Sequence, residues 1–318
     1  MELHVALSSD ENYVPFLGTT LVSLLENNTE FKKITIHLLS NGISTKNQNE
    51  LKKLVNFYKR ECVIYDMSNI KELLGDLKVE TIALSAYSRL FLSEILPLDI
   101  HKILYLDSDS LVLDSYKELW NLSIDDFLVA GVEDMVAGHF KTSINIPIKT
   151  KYINSGMMLM NIKRIRDENW LQKIKEFISG FNDEIPHHDQ GVINALFYKK
   201  TLILHPKYNC MTPFFLMKSE ELIQIYKLES YYNNTELEEA IKSPVFVHFT
   251  ESFITRPWVK KSKHPLSKKY LEYLNKTPWK GFNLKEDNRI LNVKIASFLF
   301  NAFPFKVFYS ILKLLKVK

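Results

Sequence analysis

Short apolar runs alternate with amphipathic stretches along most of this 318-residue chain. Residues 3–7, 34–39 and 61–65 are compact runs of aliphatic and β-branched positions bounded by polar ones, the pattern of buried strands. Between them, Leu17, Leu21, Leu24 and Leu25 recur at helical spacing within residues 15–26, and residues 46–59 read as a second helix. Residues 85–96 predict a helix stopped by Pro97. Residues 162–181 predict another, with Trp170, Ile174, Phe177 and Ile178 on its core face, and residues 191–198 a shorter one. Strand patterns recur at 102–106, 128–132, 201–204 and 245–249. This order predicts an α/β fold, a mostly parallel twisted sheet flanked by helices on both faces.

The stretch Tyr105-Leu106-Asp107-Ser108-Asp109 stands out against that pattern. Its two acids lie between the apolar runs 103–106 and 111–113. Charged side chains are rarely buried without a partner, so acids at the end of an apolar strand require a cation or a catalytic task. Residues i and i+2 of a strand face one side, which lets both carboxylates converge on one ion. Oxygen ligands suit Mg²⁺ or Mn²⁺. The alternative is a surface turn capped by two aspartates. In open α/β sheets ligands gather outside the carboxyl ends of the strands, where this pair falls.

Other polar positions each carry two readings. Ser8-Ser9-Asp10-Glu11-Asn12-Tyr13 joins the first strand to the first helix, where free backbone N–H groups attract anions, yet Asp10 or Asn12 also suits a plain helix cap. Arg89 opposes the dipole of its helix, so it either meets an anion or is simply exposed. The strand at 128–132 ends in Glu133 and Asp134. Asn154-Ser155-Gly156 interrupts an apolar run, and a strand glycine marks a close backbone approach, expected here to a ligand. His187-His188-Asp189-Gln190 opens a helix, with Asp189 suited to an N-cap. His248 precedes a loop carrying Arg256, Lys260, Lys261 and Lys263, which fits a metal-plus-phosphate site as well as a core imidazole.

Composition narrows the picture further. Residues 288–318 hold six basic residues and no acid, leaving 35 basic and 37 acidic residues in 1–287. The body is therefore not a polyanion binder, and nucleic acid is not an expected partner. The longest uncharged run of the tail, 295–305, is far short of the ~20 residues that span a bilayer. Two basic amphipathic segments there fit helices lying on a membrane surface; the alternative is a helix pair packed on the body or on another subunit. Cys62 and Cys210 lack metal-ligand spacing, and the first residues lack the basic start and apolar core of a signal peptide. Both features point to a cytoplasmic setting, with the tail holding the protein peripherally to the inner face of the plasma membrane.

Six parts in order resemble glycosyltransferase family 8, the retaining enzymes that include bacterial lipooligosaccharide galactosyltransferases and glycogenin. They are the Ser8–Tyr13 run, Tyr87-Ser88-Arg89-Leu90, Asp107-Ser108-Asp109, Asn154-Ser155-Gly156, His188-Asp189-Gln190, and His248 followed by Arg256-Pro257-Trp258. The likeness covers about residues 3–258. It implies a glycosyltransferase A type nucleotide-binding fold over 1–287 with a basic helical tail over 288–318. It implies a hexosyltransferase that moves galactose or glucose from a UDP-sugar to a saccharide or glycolipid acceptor. By the family pattern Asp107, Asp109 and His248 hold Mn²⁺ (or Mg²⁺) on the diphosphate, while Ser8, Asp10, Asn12 and Tyr13 meet uracil and ribose. Arg89, Asp134, Asn154, Asp189 and Gln190 surround the transferred sugar, and Ser108 and Arg256 complete the donor-binding set. Members of the family often end in a basic membrane-binding tail.

The chain departs from the family in its 249–256 loop, which is longer and lacks glycine, so Arg256 stands in for the usual Lys as a diphosphate clamp. Where a nucleophile would stand is Gln190, a poor one, so retention is expected by same-face attack. Two other classes fit parts of the pattern. One is a haloacid-dehalogenase-like phosphatase, whose first acid is the nucleophile; here, however, β-α units precede the acids and Leu111 replaces the usual Thr or Val. The other is a non-catalytic, membrane-associated binder of sugar nucleotides.

Overall fold

The computed structural model describes residues 1–70, 72, 84–181 and 185–314. Its strands are β1 (Glu2–Asp10), β2 (Lys33–Asn41), β3 (Glu61–Asp66), β4 (Lys102–Leu106) and β5 (Ser110–Val112). There follow β6 (Val129–Glu133), β7 (Ile153–Asn161), β8 (Thr201–Ile203), β9 (Cys210–Met211) and β10 (Phe246–His248). Seven of them form the expected twisted sheet in the order β3-β2-β1-β4-β7-β6-β8. Neighbours are parallel except at β7, which runs antiparallel to both β4 and β6.

Period-two alternation divides this sheet between two apolar layers. On β4, Leu104 and Leu106 enter the layer that contains α1 (Val14–Glu26), while Ile103 and Tyr105 enter the opposite layer. α1 is buried on nearly every face because the small sheet, the helix Ser267–Leu274 and Trp279 cover its far side. Its Gly18 permits that cover: a Cβ there would lie 2.6 Å from the Trp279 ring. α2 (Thr45–Phe57) flanks β3 and takes Ser44 as its N-cap.

In the small sheet, ordered β5-β10-β9, β10 falls within the strand expected at 245–249, whereas β9 was not expected. Strands of two or three residues are too short to show an alternation. Two predicted helices are also broken. Residues 85–96 form Leu84–Tyr87, a 3₁₀ turn Ser88–Phe91 and Leu92–Ile95, the tightened turn falling at buried Arg89. Residues 162–181 split into Ile162–Asp167 and α3 (Trp170–Ser179) because Asn169 adopts a left-handed conformation (φ 51°), which asparagine tolerates. Between β6 and β7 lies a short helix, Gly138–Ser143.

The tail forms α5 (Leu291–Ala302) and α6 (Phe305–Leu314), parted at Pro304. One face packs on the body: Phe253 stacks on Phe300 at 4.6 Å and meets buried Phe308 edge-on at 5.1 Å. The other face leaves Leu291, Phe298 and Leu314 exposed. Among the described residues no helix is long and apolar enough to cross a membrane.

Burial pushes the imidazoles of His37 and His264 down to about 4. The unfolded chain, with imidazoles near ~6.5, takes up protons that the folded chain refuses. Stability therefore rises with pH across that window and is lost as pH falls from about 6.5 toward 4, on the order of 2 kcal/mol per imidazole. Thermal melts between neutral and mildly acidic pH measure this slope, and a melting temperature flat across it would contradict the assignment.

Candidate active site

The acid pair occupies the turn between β4 and β5, and that turn is fixed from three sides. Asp107 N–H donates to Gly156 O at 2.8 Å, prolonging the β4–β7 ladder by one residue. The Thr20 hydroxyl on α1 bonds the carbonyls of Ser108 and Ser110 at 2.8 and 3.0 Å. Ser108 Oγ donates to Ser8 O at 2.9 Å, and Ser110 Oγ to Asp107 O at 2.7 Å.

The small sheet delivers the third group. Antiparallel register places His248 opposite Ser110, so its ring lies beside the acids. Nε2 is 3.1 Å from Asp109 Oδ1 and 3.7 Å from Asp107 Oδ2. One ligand atom from each of the three residues lies within 4.8 Å of the others. The other ring nitrogen, Nδ1, is 3.2 Å from Asn154 Oδ1. That oxygen also accepts from Gly156 N–H at 3.0 Å and Asn209 Nδ2 at 2.8 Å, so it is an acceptor, Nδ1 carries a proton and Nε2 is turned to the acids. Gly156 makes the close approach expected of a strand glycine, but to His248: a Cβ would stand 2.3 Å from the imidazole Cε1. Burial would lower the His248 pKa, but the Asp109 carboxylate raises it above its ordinary value. Burial likewise opposes ionisation of Asp109, while His248 and Arg256 hold it down at about 2. Two carboxylates and an oriented imidazole are a donor set that fits a divalent cation such as Mn²⁺ or Mg²⁺.

Arg89 is buried beneath the pair, which overturns its reading as an exposed cation. Nη2 lies 2.9 Å from Asp107 Oδ1, Nη1 donates to Ser155 O at 2.7 Å, and the guanidinium covers the Tyr105 ring at 4.3 Å. Its Nε–H is directed to Ala86 O, although Nε is 3.0 Å from Asp189 Oδ2. Asp189 does not cap its helix. It is the second residue of α4 (His188–Phe197), only 4% exposed, and its Oδ2 receives no hydrogen bond. Burial pushes its carboxyl up, and Arg89 works against that.

Gln190, Asn154 and Asp134 form one bonded group. Gln190 Nε2 and Asn154 Nδ2 both donate to Asp134 Oδ2 at 2.9 Å. Gln190 Oε1 accepts from Ser155 N–H at 3.0 Å and Asn154 Nδ2 at 3.2 Å.

A cavity of about 180 Å³ opens over the acids, lined by Ser8, Asp10, Tyr13, Arg89, Asp107, Ser108 and Asp109 among others. Asp10 also fulfils the capping reading, accepting from Asn12 N–H at 2.8 Å and Tyr13 N–H at 3.1 Å. Asn12 itself is exposed and stands outside the lining. Arg256 reaches the site from the other side, with Nη2 3.6 Å from Asp109 Oδ2 and Nε donating to Phe249 O at 2.9 Å. Sequence reasoning passed over Ser85, Ala86 and Tyr105 in the lining and Asn209 behind His248. Tyr105 was legible: it precedes Asp107 by two, on the same side of the strand, and its hydroxyl donates to Asp107 Oδ1 at 3.2 Å. Asn209 carries no sequence signal, because only the fold brings it to Asn154.

The family model described as Glycosyl transferase family 8 matches residues 4–262. The chain is 28% identical to General stress protein A of Bacillus subtilis over 282 residues, 87% of this chain and 94% of that protein. It is 25% identical to Lipopolysaccharide 1,2-glucosyltransferase of Escherichia coli, covering 92% of this chain and 83% of that one. It is also 25% identical to Lipopolysaccharide 1,3-galactosyltransferase of Salmonella typhimurium, covering 87% and 79%. Among solved structures it shares its fold with galactosyltransferase LgtC in complex with donor and acceptor sugar analogs, at a TM-score of 0.72 and 20% identity, covering 87% of this chain and 96% of that one.

The tight seat of His248 on Gly156 yields a test of the metal reading. In Gly156→Ala the imidazole must leave its position, and affinity for Mn²⁺ is expected to fall roughly 10–100-fold, as for loss of an orienting group. Titration with Mn²⁺ followed by its paramagnetic resonance signal reads this directly; unchanged affinity in a folded variant would remove His248 from the ligand set.

Proposed function

The chain belongs to glycosyl transferase family 8, and from that premise we propose that this hexosyltransferase moves glucose or galactose from a UDP-sugar to a saccharide or glycolipid acceptor, with retention. The observation that carries the reading is the convergence of Asp107, Asp109 and His248 beside a cavity lined by Ser8, Asp10 and Tyr13. The relatives named as glucosyl- and galactosyltransferases support a hexose as the group transferred.

In this reading Asp107, Asp109 and His248 hold Mn²⁺ or Mg²⁺, and Ser8, Asp10 and Tyr13 receive uracil and ribose, with Asn12 at the rim. When bound, the cation supplies positive charge opposite the diphosphate, whose negative charge grows as the glycosidic bond breaks. Arg256 adds a planar, permanently charged donor on the same side. Arg89 acts as a positioning residue, since its donors are engaged by Asp107, Ser155 and Ala86. Asp189 Oδ2 is ion-paired with Arg89 at 3.0 Å but receives no hydrogen bond, so it suits a sugar hydroxyl or positive charge at the anomeric carbon.

Gln190 is held at both ends of its amide, which supports a role in shaping the sugar site rather than in attack. The acceptor hydroxyl then adds to the anomeric carbon on the face that the phosphate leaves. The carbon–oxygen bond to UDP breaks, and the hydroxyl proton passes to the departing phosphate oxygen.

Exposed Leu291, Phe298 and Leu314 lie on helices carrying Lys294, Lys306 and Lys313, the composition of a surface that docks on anionic lipid. Each lysine adds roughly 1 kcal/mol at such a surface. Co-sedimentation with vesicles containing phosphatidylserine is expected to drop at least threefold in Phe298→Ser, and equal sedimentation of the two proteins would retire this role.

The activity itself is tested by incubating the protein with Mn²⁺ and a panel of UDP-sugars and measuring UDP release. Asp109→Asn is expected to abolish metal-stimulated release, whereas Gln190→Ala keeps activity within about tenfold. Release by Asp109→Asn at the parent rate would refute the metal assignment. Complete loss in Gln190→Ala with UDP binding intact would favour attack through that position instead.

A further inference from the structure

Resting on the transferase reading, we propose that a second, apolar cavity beside the active site takes the hydrocarbon chain of an anionic, lipid-linked acceptor. This cavity measures about 680 Å³ and lies between the segment after β6, the helix Ser219–Tyr226 and the two tail helices. Met135 and Val136 form one wall, Ile225 and Tyr226 a second, and Ala296 and Leu312 the third. The volume falls within the ~300–1,000 Å³ of ordinary small-molecule sites.

Three observations favour this occupant. The first is continuity with the sugar end of the active site. Met135 N–H donates to Asp134 Oδ1 at 2.7 Å, and the other oxygen of that carboxylate holds Gln190 and Asn154. His187, which lines the cavity, immediately precedes the His188-Asp189-Gln190 run, and its ring meets Phe140 at 4.8 Å and Tyr152 at 5.8 Å. An acceptor whose hydroxyl reaches the anomeric carbon thus has this cavity beside its remaining part.

The second is charge. Lys227 and Lys313 line the cavity together with His139 and His187, and among the described residues no carboxylate does. An anionic group at its mouth is therefore complemented on more than one side. The third is the tail itself. α5 and α6 wall the cavity with one face, where Tyr309 Oη donates to Gln224 O at 3.4 Å, and expose Leu291 and Phe298 on the other. A chain leaving a lipid surface meets apolar residues from the outer face of the tail to the inner wall. Most of that wall is aliphatic or aromatic, which suits a chain that brings no hydrogen-bonding groups of its own.

The test uses the full chain and dodecyl phosphate, titrated calorimetrically below the concentration at which it forms micelles, without donor or metal. One saturable site per chain is expected, weakened at least tenfold in Ala296→Trp, which fills the cavity, and severalfold in Lys313→Glu, whose exposed position leaves folding untouched. Inorganic phosphate alone should show no saturable binding. Thermal melts establish that Ala296→Trp is folded. Parent-like affinity in both variants, binding of phosphate without its chain, or displacement of the amphiphile by an apolar peptide but not by a second lipid would overturn the proposal. Because no donor is present, the outcome is independent of UDP release. Amphiphile binding without any UDP-sugar turnover would overturn the transferase reading and, with it, the assignment of the cavity to an acceptor, whereas turnover without amphiphile binding would overturn the cavity alone.

Discussion

The contact between Asp109 and His248, 3.1 Å across the seam of β5 and β10, is the constraint around which the active end of the molecule is arranged. Asp107 and Asp109 stand side by side in a partly buried place, where two like charges ~4 Å apart repel by about 4 kcal/mol at an effective dielectric near ~20. Such a pair persists in a folded chain only if cations surround it. Arg89 supplies one from below at 2.9 Å, His248 a second, and Arg256 a third from the rim at 3.6 Å. One ligand atom from each of Asp107, Asp109 and His248 lies within 4.8 Å of the others, so the three side chains face one point.

That requirement explains the small sheet. His248 is 139 residues distant from Asp109, so its position rests on strand register rather than on local turn geometry. One step of slippage would turn the imidazole to the opposite face. The register is held by parallel pairing with β9 on the other side, and β9 follows the turn that carries Asn209. Asn209 and Gly156 together bring Asn154 Oδ1 to the back of the imidazole. The main sheet delivers the acids, the small sheet delivers the base, and β7 ties both together from the middle.

The large strands, the first helices and the order of polar clusters were legible in the sequence because each is a periodic or contiguous signal. The Asp107–Asp109 pair was legible for the same reason: two acids breaking an apolar run. His248 was ambiguous; the fold brings its ring to 3.1 Å from Asp109 and 3.7 Å from Asp107, which no local signal foretold. Arg89 and Asp189 were readable as polar residues at helix starts, but not as partners, since their pairing depends on the packing of α4 against the broken helix near residue 89. The left-handed Asn169 that splits one helix, the two-residue strand β9 and the role of Asn209 left no trace in periodicity. Such features are set by tertiary contacts that override local preference.

Arg89 also links the two halves of the site electrostatically. It touches Asp107 at 2.9 Å and Asp189 at 3.0 Å, one acid on the side of the proposed metal and the other on the side of the proposed sugar. Burial pushes the Asp189 carboxyl up, and the Arg89 guanidinium works against that shift. The same guanidinium cannot serve as a free phosphate clamp, because Ser155 and Ala86 take its remaining directions. A single buried cation therefore bridges two carboxylates, Asp107 in the cavity lining and Asp189 outside it. In the proposed reading, holding a diphosphate falls to Arg256 and to the ion proposed at Asp107, Asp109 and His248.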